Sequence, residues 1–178
     1  MSTCNLSAGR QEVCKDSVGG LQGVYFINFQ SGSFTKNADG EVTDLTGQTV
    51  YFYELKGTSA YTETVNSSRE NGTTFFSQET TLNLKKLTNE MTTQLKLLAY
   101  GRPQIIVWTN SGDALLVGEE HGSDLTAGTI QTGGALGDLY GYSITMTAEE
   151  KLPAAFLSGS TTTDPFANLS GQPTIVYS

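Results

Sequence analysis

The 178-residue sequence predicts a mainly β fold: a mostly antiparallel β-domain with one α-helix packed across it and a long β-hairpin. Three observations predict it. Charged residues make up only 16% of the chain, and its 20 Gly stand among abundant Thr, Ser, Asn and Gln, the material of strands and tight turns. Short runs alternate apolar and polar side chains between turn signals. One stretch alone carries a helical stripe.

A chain of this length forms one ordinary domain and buries about two-thirds of its unfolded surface. Its 10% aromatic content excludes a disordered reading. The expected division is a leader or arm over 1–20, a β-domain over 21–157 and a C-terminal extension over 158–178.

After the leader, "GGLQGVYFINF" opens on glycines and sets Leu21, Val24, Phe26 and Phe29 in a strand-like run. Asn37, Asp39 and Gly40 mark a turn, and Thr46–Gly47 another. In "QTVYFYELKG", Val50, Phe52 and Glu54 alternate with Tyr51, Tyr53 and Leu55, so large side chains occupy both faces.

The long hairpin is "YTETVNSSRENGTTFFSQETTLNLKKL", reversing at Asn71–Gly72. On its outgoing strand Thr74, Phe76, Gln78, Thr80, Leu82 and Leu84 share one face, of which only Leu82 and Leu84 read as core. Most of its other positions are polar.

In "LTNEMTTQLKLLAYGRP", Leu87, Met91, Leu95 and Leu98 form one helical stripe. Thr88 or Asn89 caps its start, Glu90 favours the positive end of the dipole, and Gly101 and Pro103 end it. Then Ile105–Trp108 returns as Ala114–Val117 around Asn110–Ser111–Gly112, a second hairpin. "HGSDLTAGTIQTGGALGDLYG" is Gly-rich and weakly patterned. Tyr142, Ile144 and Met146 alternate with Ser143, Thr145 and Thr147 in a further strand, and Thr174–Tyr177 reads as an edge strand.

The net charge is −8. From Asp113 onward eight acids face a single base, Lys151. Direct DNA binding is disfavoured, because affinity for phosphates comes largely from Lys and Arg. A surface that DNA passes without sticking is compatible with this sign. No apolar run approaches the roughly 20 residues of a membrane span, and no secretory signal is visible at the N-terminus. Folding in a cytosol is expected, where a Cys4–Cys14 disulfide is unfavoured, and both cysteines read as small buried side chains.

No catalytic constellation emerges, and no cofactor or metal site is expected. His121 sits in "GEEHGSD" with Glu119, Glu120 and Asp124, a set that reads as a solvated turn. "GTIQTGGALGDLYG" lacks the Gly-Lys-Ser/Thr ending of a phosphate loop and the helix that would follow one. Glu149 and Glu150 are adjacent on a strand and point to opposite faces, so they do not act as a carboxylate pair.

The order of "VYFYELKGTSAYTETVNSSRENGTTFFSQETTLNLKKL", a helix ending in "LLAYGRPQIIV", and "ALLVGEEHGSDLTAGTIQTGGALGDLYGYSITMTAEEKLPAAF" resembles the tail-tube and related tail ring proteins of tailed bacteriophages, over about Leu21 to Phe156. The leader "CNLSAGRQEVCKDSVGGLQGVYF" is similar to uncharacterised phage structural proteins. The resemblance implies an antiparallel β-sandwich or small barrel with one flanking α-helix and a long protruding β-hairpin, and a structural virion protein, made in the host cytoplasm, that forms stacked homo-hexameric rings with an acidic lumen through which DNA passes unbound. It implies other tail, neck or baseplate proteins as partners. Glu63, Glu79, Glu149 and Glu150 are the expected lumen or inter-ring contacts. A tail terminator, stopper or baseplate hub ring is the alternative within that family. A carbohydrate-binding or adhesin-like sandwich is the alternative outside it. The adhesin reading needs an exposed Trp108, whereas "QIIVWTN" reads as a buried strand.

Overall fold

The computed structural model describes residues 5–31 and 34–177. Its elements are β1 (Leu21–Ile27), β2 (Thr35–Lys36), β3 (Val42–Asp44), β4 (Thr49–Glu54), β5 (Ala60–Ser68), β6 (Thr73–Lys85) and α1 (Asn89–Tyr100). They continue with β7 (Gln104–Thr109), β8 (Ala114–Val117), β9 (Asp124–Gln131), β10 (Gly141–Glu150), β11 (Ala155–Phe156) and β12 (Thr174–Val176). A six-stranded sheet runs in the order β11-β8-β7-β1-β4-β12 and a four-stranded sheet in the order β5-β6-β10-β9. Every pairing is antiparallel except that of β12 with β4. The predicted mainly β sandwich with one helix is the fold observed.

The six-stranded sheet is the middle of three layers. On one side Val24, Phe26, Ile105 and Val107 pack on Leu82, Leu84, Tyr142, Ile144 and Met146 of the four-stranded sheet. On the other, Tyr25, Ile27, Ile106 and Trp108 pack on Val42, Leu45, Phe166 and Leu169. Burial on both faces explains why β1 and β7 read as nearly unbroken apolar runs. The four-stranded sheet is covered on one face only, and its strands alternate accordingly.

Residues after 157, expected as an extension, belong to this core. Phe166 is 1% exposed, the Ser158 amide donates to the Val42 carbonyl, and the Leu45 amide donates to Gly171. The predicted strand at Thr174 closes the edge beside β4.

Helix α1 starts as its sequence dictates: the Thr88 hydroxyl accepts from the Met91 amide at 3.1 Å. Its first turn is moored to β10, whose Tyr142 hydroxyl lies 2.8 Å from the Thr92 hydroxyl and donates to the Thr88 carbonyl. Leu95 is buried, with Leu87, Met91 and Leu98 partly so, as the stripe requires.

At 13 residues β6 is about 44 Å long. Its buried positions extend further than predicted, through Thr80 to Gln78, because the Gln78 side chain accepts from the Gly118 amide at 3.0 Å across the sandwich. Beyond them the hairpin stands free, with Val65 and Phe75 exposed.

The leader is exposed from Asn5 to Gly20. Cys14 is exposed, which corrects its reading as a buried side chain. Cys4 lies outside the described residues.

Candidate functional site

The outer face of the four-stranded sheet is built of hydroxyls. Cross-strand partners share a face, so the pairings Thr62–Glu79, Glu79–Thr147 and Thr147–Asp124 form one rank. Ala60–Thr81–Thr145–Ala127 forms a second, and Thr64–Ser77–Glu149 a third. The Thr126 and Thr147 hydroxyls meet at 3.1 Å. The acids of these ranks are Glu79, Glu149 and Asp124, all exposed. The one base on the same face of β6 is Lys85, at the far end beside Gly141.

Both outer strands of this sheet, β5 and β9, are paired on one side only. Strand β9 carries no large apolar alternation and is exposed along most of its length, so it was not legible as a strand. The signal present was weak: Leu125, Thr126, Thr129 and Ile130 favour extended backbone, but two-sided exposure removes the period-two pattern.

The four predicted contact acids divide between the faces. Glu79 and Glu149 lie on the outer, open face. Glu63 pairs across from Gln78 and Glu150 from Phe76, on the inner face. Glu63 accepts from the Tyr61 hydroxyl at 2.9 Å and from the Ala154 amide at 3.4 Å, holding the segment after β10. Burial, then the Glu63 carboxylate, pushes the Tyr61 phenol well above its ordinary pKa.

Glu150 is 4% exposed. One carboxylate oxygen accepts from the Glu120 and His121 amides at 3.2 and 2.8 Å, and the other lies 3.0 Å from His121 Nδ1. This latches the β8–β9 turn onto the end of β10. Glu150 is thus buried and Glu63 half-buried on the inner face, whereas Glu79 and Glu149 stand on the open one. The physical reason is register: alternation separates neighbours, but only pairing shows which member turns inward.

Donor atoms of Glu120, His121 and Glu150 lie within 4.8 Å of one another, the one such group among the described residues. Its hydrogen bonds account for the arrangement as a turn latch. The other acids named with His121 are elsewhere: Glu119 bonds Lys36 at 2.7 Å and Asp124 begins β9. The glycine-rich loop before β10 is likewise a self-bonded turn, with Asp138 accepting from the Gly134 and Ala135 amides at 2.9 and 2.7 Å. Those amides hold the Asp138 carboxyl below its usual pKa, the Ala135 bond most.

Trp108 is 6% exposed and its indole N–H donates to the Thr161 carbonyl at 2.9 Å, so it offers no platform for a sugar. Two open clefts lie between α1 and β4. One of about 410 Å³ is lined by Phe26, Phe29, Tyr51, Tyr53, Leu97 and Arg102 among others. A second, of about 240 Å³, shares Tyr51, Tyr53 and Gln94 and continues to Met91 and Tyr177. No helix is long and apolar enough to cross a membrane among the described residues.

No family model matches the chain, and no curated protein does. Among solved structures, a chain of the "Virion of native gene transfer agent (GTA) particle" is similar at 11% identity and a TM-score of 0.38, over 70% of this chain and 100% of that one. A likeness of that extent carries no argument about fold or function.

Proposed function

We propose that this chain is a structural protein of a phage-like virion whose copies close into a ring around a channel for DNA, the tail tube being the form its sequence resembles. One observation carries the reading: a four-stranded sheet with a hydroxyl-rich, acid-bearing open face and both edges unpaired. Free edges of this length invite pairing with another chain. Because β5-β6-β10-β9 alternate in direction, β9 of one copy placed beside β5 of the next continues the antiparallel sheet. That contact joins different surfaces of the two copies, and such contacts generate rings when the rotation closes.

For the hexamer that the resemblance implies, four strands per copy at about 4.8 Å spacing and about 40° tilt give a backbone diameter of about 48 Å. A DNA duplex fits inside. The wall it would meet carries Glu79 and Glu149 among Thr and Ser, and like charge repels phosphate. Such a conduit guides DNA without holding it, needs no catalytic group, and takes other virion proteins as its end partners. A ring that stacks head to tail is a tube, whereas one that stops at a single layer is a terminator or stopper.

Amide hydrogen exchange across a concentration series tests the edge pairing. Residues 60–68 and 124–131 should gain protection as the protein associates, while 158–170 should not change. Association that leaves both edges exchanging as in the dilute protein would sink the reading.

A further inference from the structure

Resting on the ring reading above, we propose the register in which the copies join: Ala127, Thr129 and Ile130 on β9 of one copy stand opposite Thr64, Thr62 and Tyr61 on β5 of the next. The faces of the two edge strands limit the choice first. Ile130 pairs with the buried Tyr142 and Tyr61 with the buried Thr80, so both belong to the inner face. Ala127 belongs to the open face, level with Ala60 of its own copy through Thr145 and Thr81. A continuous sheet keeps the faces apart, because a slip of one residue turns every side chain over. Ala127 can therefore meet only Ala60, Thr62, Thr64, Asn66 or Ser68 of the next copy, staggers of zero, two, four, six or eight residues.

Overlap and side-chain match narrow these to one. Strand β9 has 8 residues and β5 has 9. At staggers of zero and two, Gln131 runs past the start of β5, and at eight the residues before Ala127 run past its end. At six, Ile130 faces the Glu63 carboxylate, which already accepts from Tyr61 and Ala154 on the inner face. At four, all of β9 lies along β5. Ile130, 53% exposed in the single copy, then faces the Tyr61 ring, and Gly128, with no side chain, faces Glu63.

The geometry of closure agrees. A stagger of four residues advances about 13 Å along the strands for about 19 Å across four of them, a tilt of about 35°. Closed barrels tilt their strands by about 35–45°, whereas staggers of two and eight give about 19° and about 54°. Strand overlap, the partner of Ile130 and the tilt needed for closure thus meet at one register.

Disulfide linking reads the register directly, since side chains directly opposite across a strand pair lie closer than diagonal ones. Full-length chains carrying Cys4→Ser, Cys14→Ser and Thr129→Cys receive one further change: Ala60→Cys, Thr62→Cys or Thr64→Cys. All four altered strand positions are exposed, and the three pairs report staggers of two, four and six. After oxidation with diamide at a concentration where the copies associate, the Thr62→Cys chain should form the fastest ladder of disulfide-linked multimers on a non-reducing gel. Fastest linking at position 60 or 64, or no linking at any of the three, would overturn the register. Hydrogen exchange separates that failure from failure of the ring reading. Protection that rises over 60–68 and 124–131 without the expected linking removes the register alone, and protection that never rises removes both.

Discussion

Glu149 and Glu150 are neighbours in the sequence and opposites in the structure. Glu149 stands exposed on the open face, while Glu150 is buried beneath the β8–β9 turn with two backbone amides and a histidine on its carboxylate. Alternation along β10 made their separation legible. Which of them turned inward was not, because that depends on a turn 29 residues earlier folding over the strand end. Truncation should separate the two roles. Glu150→Ala leaves two part-buried amides without their acceptor and should cost about 1–3 kcal/mol of unfolding free energy in urea. Glu149→Ala should stay within about 0.5 kcal/mol of the parent, as exposed surface changes do. Equal losses would remove the distinction drawn here between a latch and an open wall.

The elements with a large apolar period were readable and the others were not. The stripe of α1 and its Thr88 cap, the Ile105–Val117 hairpin and the Tyr142–Met146 alternation all appear where the pattern put them. Strand β9 escaped because only Leu125 of it packs against the core, and the ribbon β2–β3 because two or three residues carry no period. The C-terminal stretch looked like a tail because its Ser, Thr and Pro conceal two anchors, Phe166 and Leu169, set in the outer layer against Tyr25 and Trp108. Tyr25 meets Phe166 edge-on with ring centroids 4.9 Å apart. A chain ending at 157 should therefore lose cooperative unfolding. Losing a buried Phe costs about 3–5 kcal/mol, a large part of the roughly 5–15 kcal/mol that holds a domain together. Calorimetry reads this directly: an undiminished transition in the shortened chain would show the outer layer to be dispensable.

At the scale of the whole molecule, the division of labour is between a sheet buried on both faces and a sheet buried on one. The first supplies stability. The second offers its neighbours two free edges and, to whatever lies beyond, a wall of hydroxyls and carboxylates. The sequence shows this wall as polar positions on the long hairpin, but it does not show that β9 extends it to four strands or that both edges are open. Negative-stain electron microscopy of the purified protein at high concentration tests the central claim most directly. The account predicts rings with a central hole, stacked into tubes if the chain is a tube protein and single if it closes a tail. Separate, solid particles the size of one 19.0 kDa domain at the same concentration would contradict it.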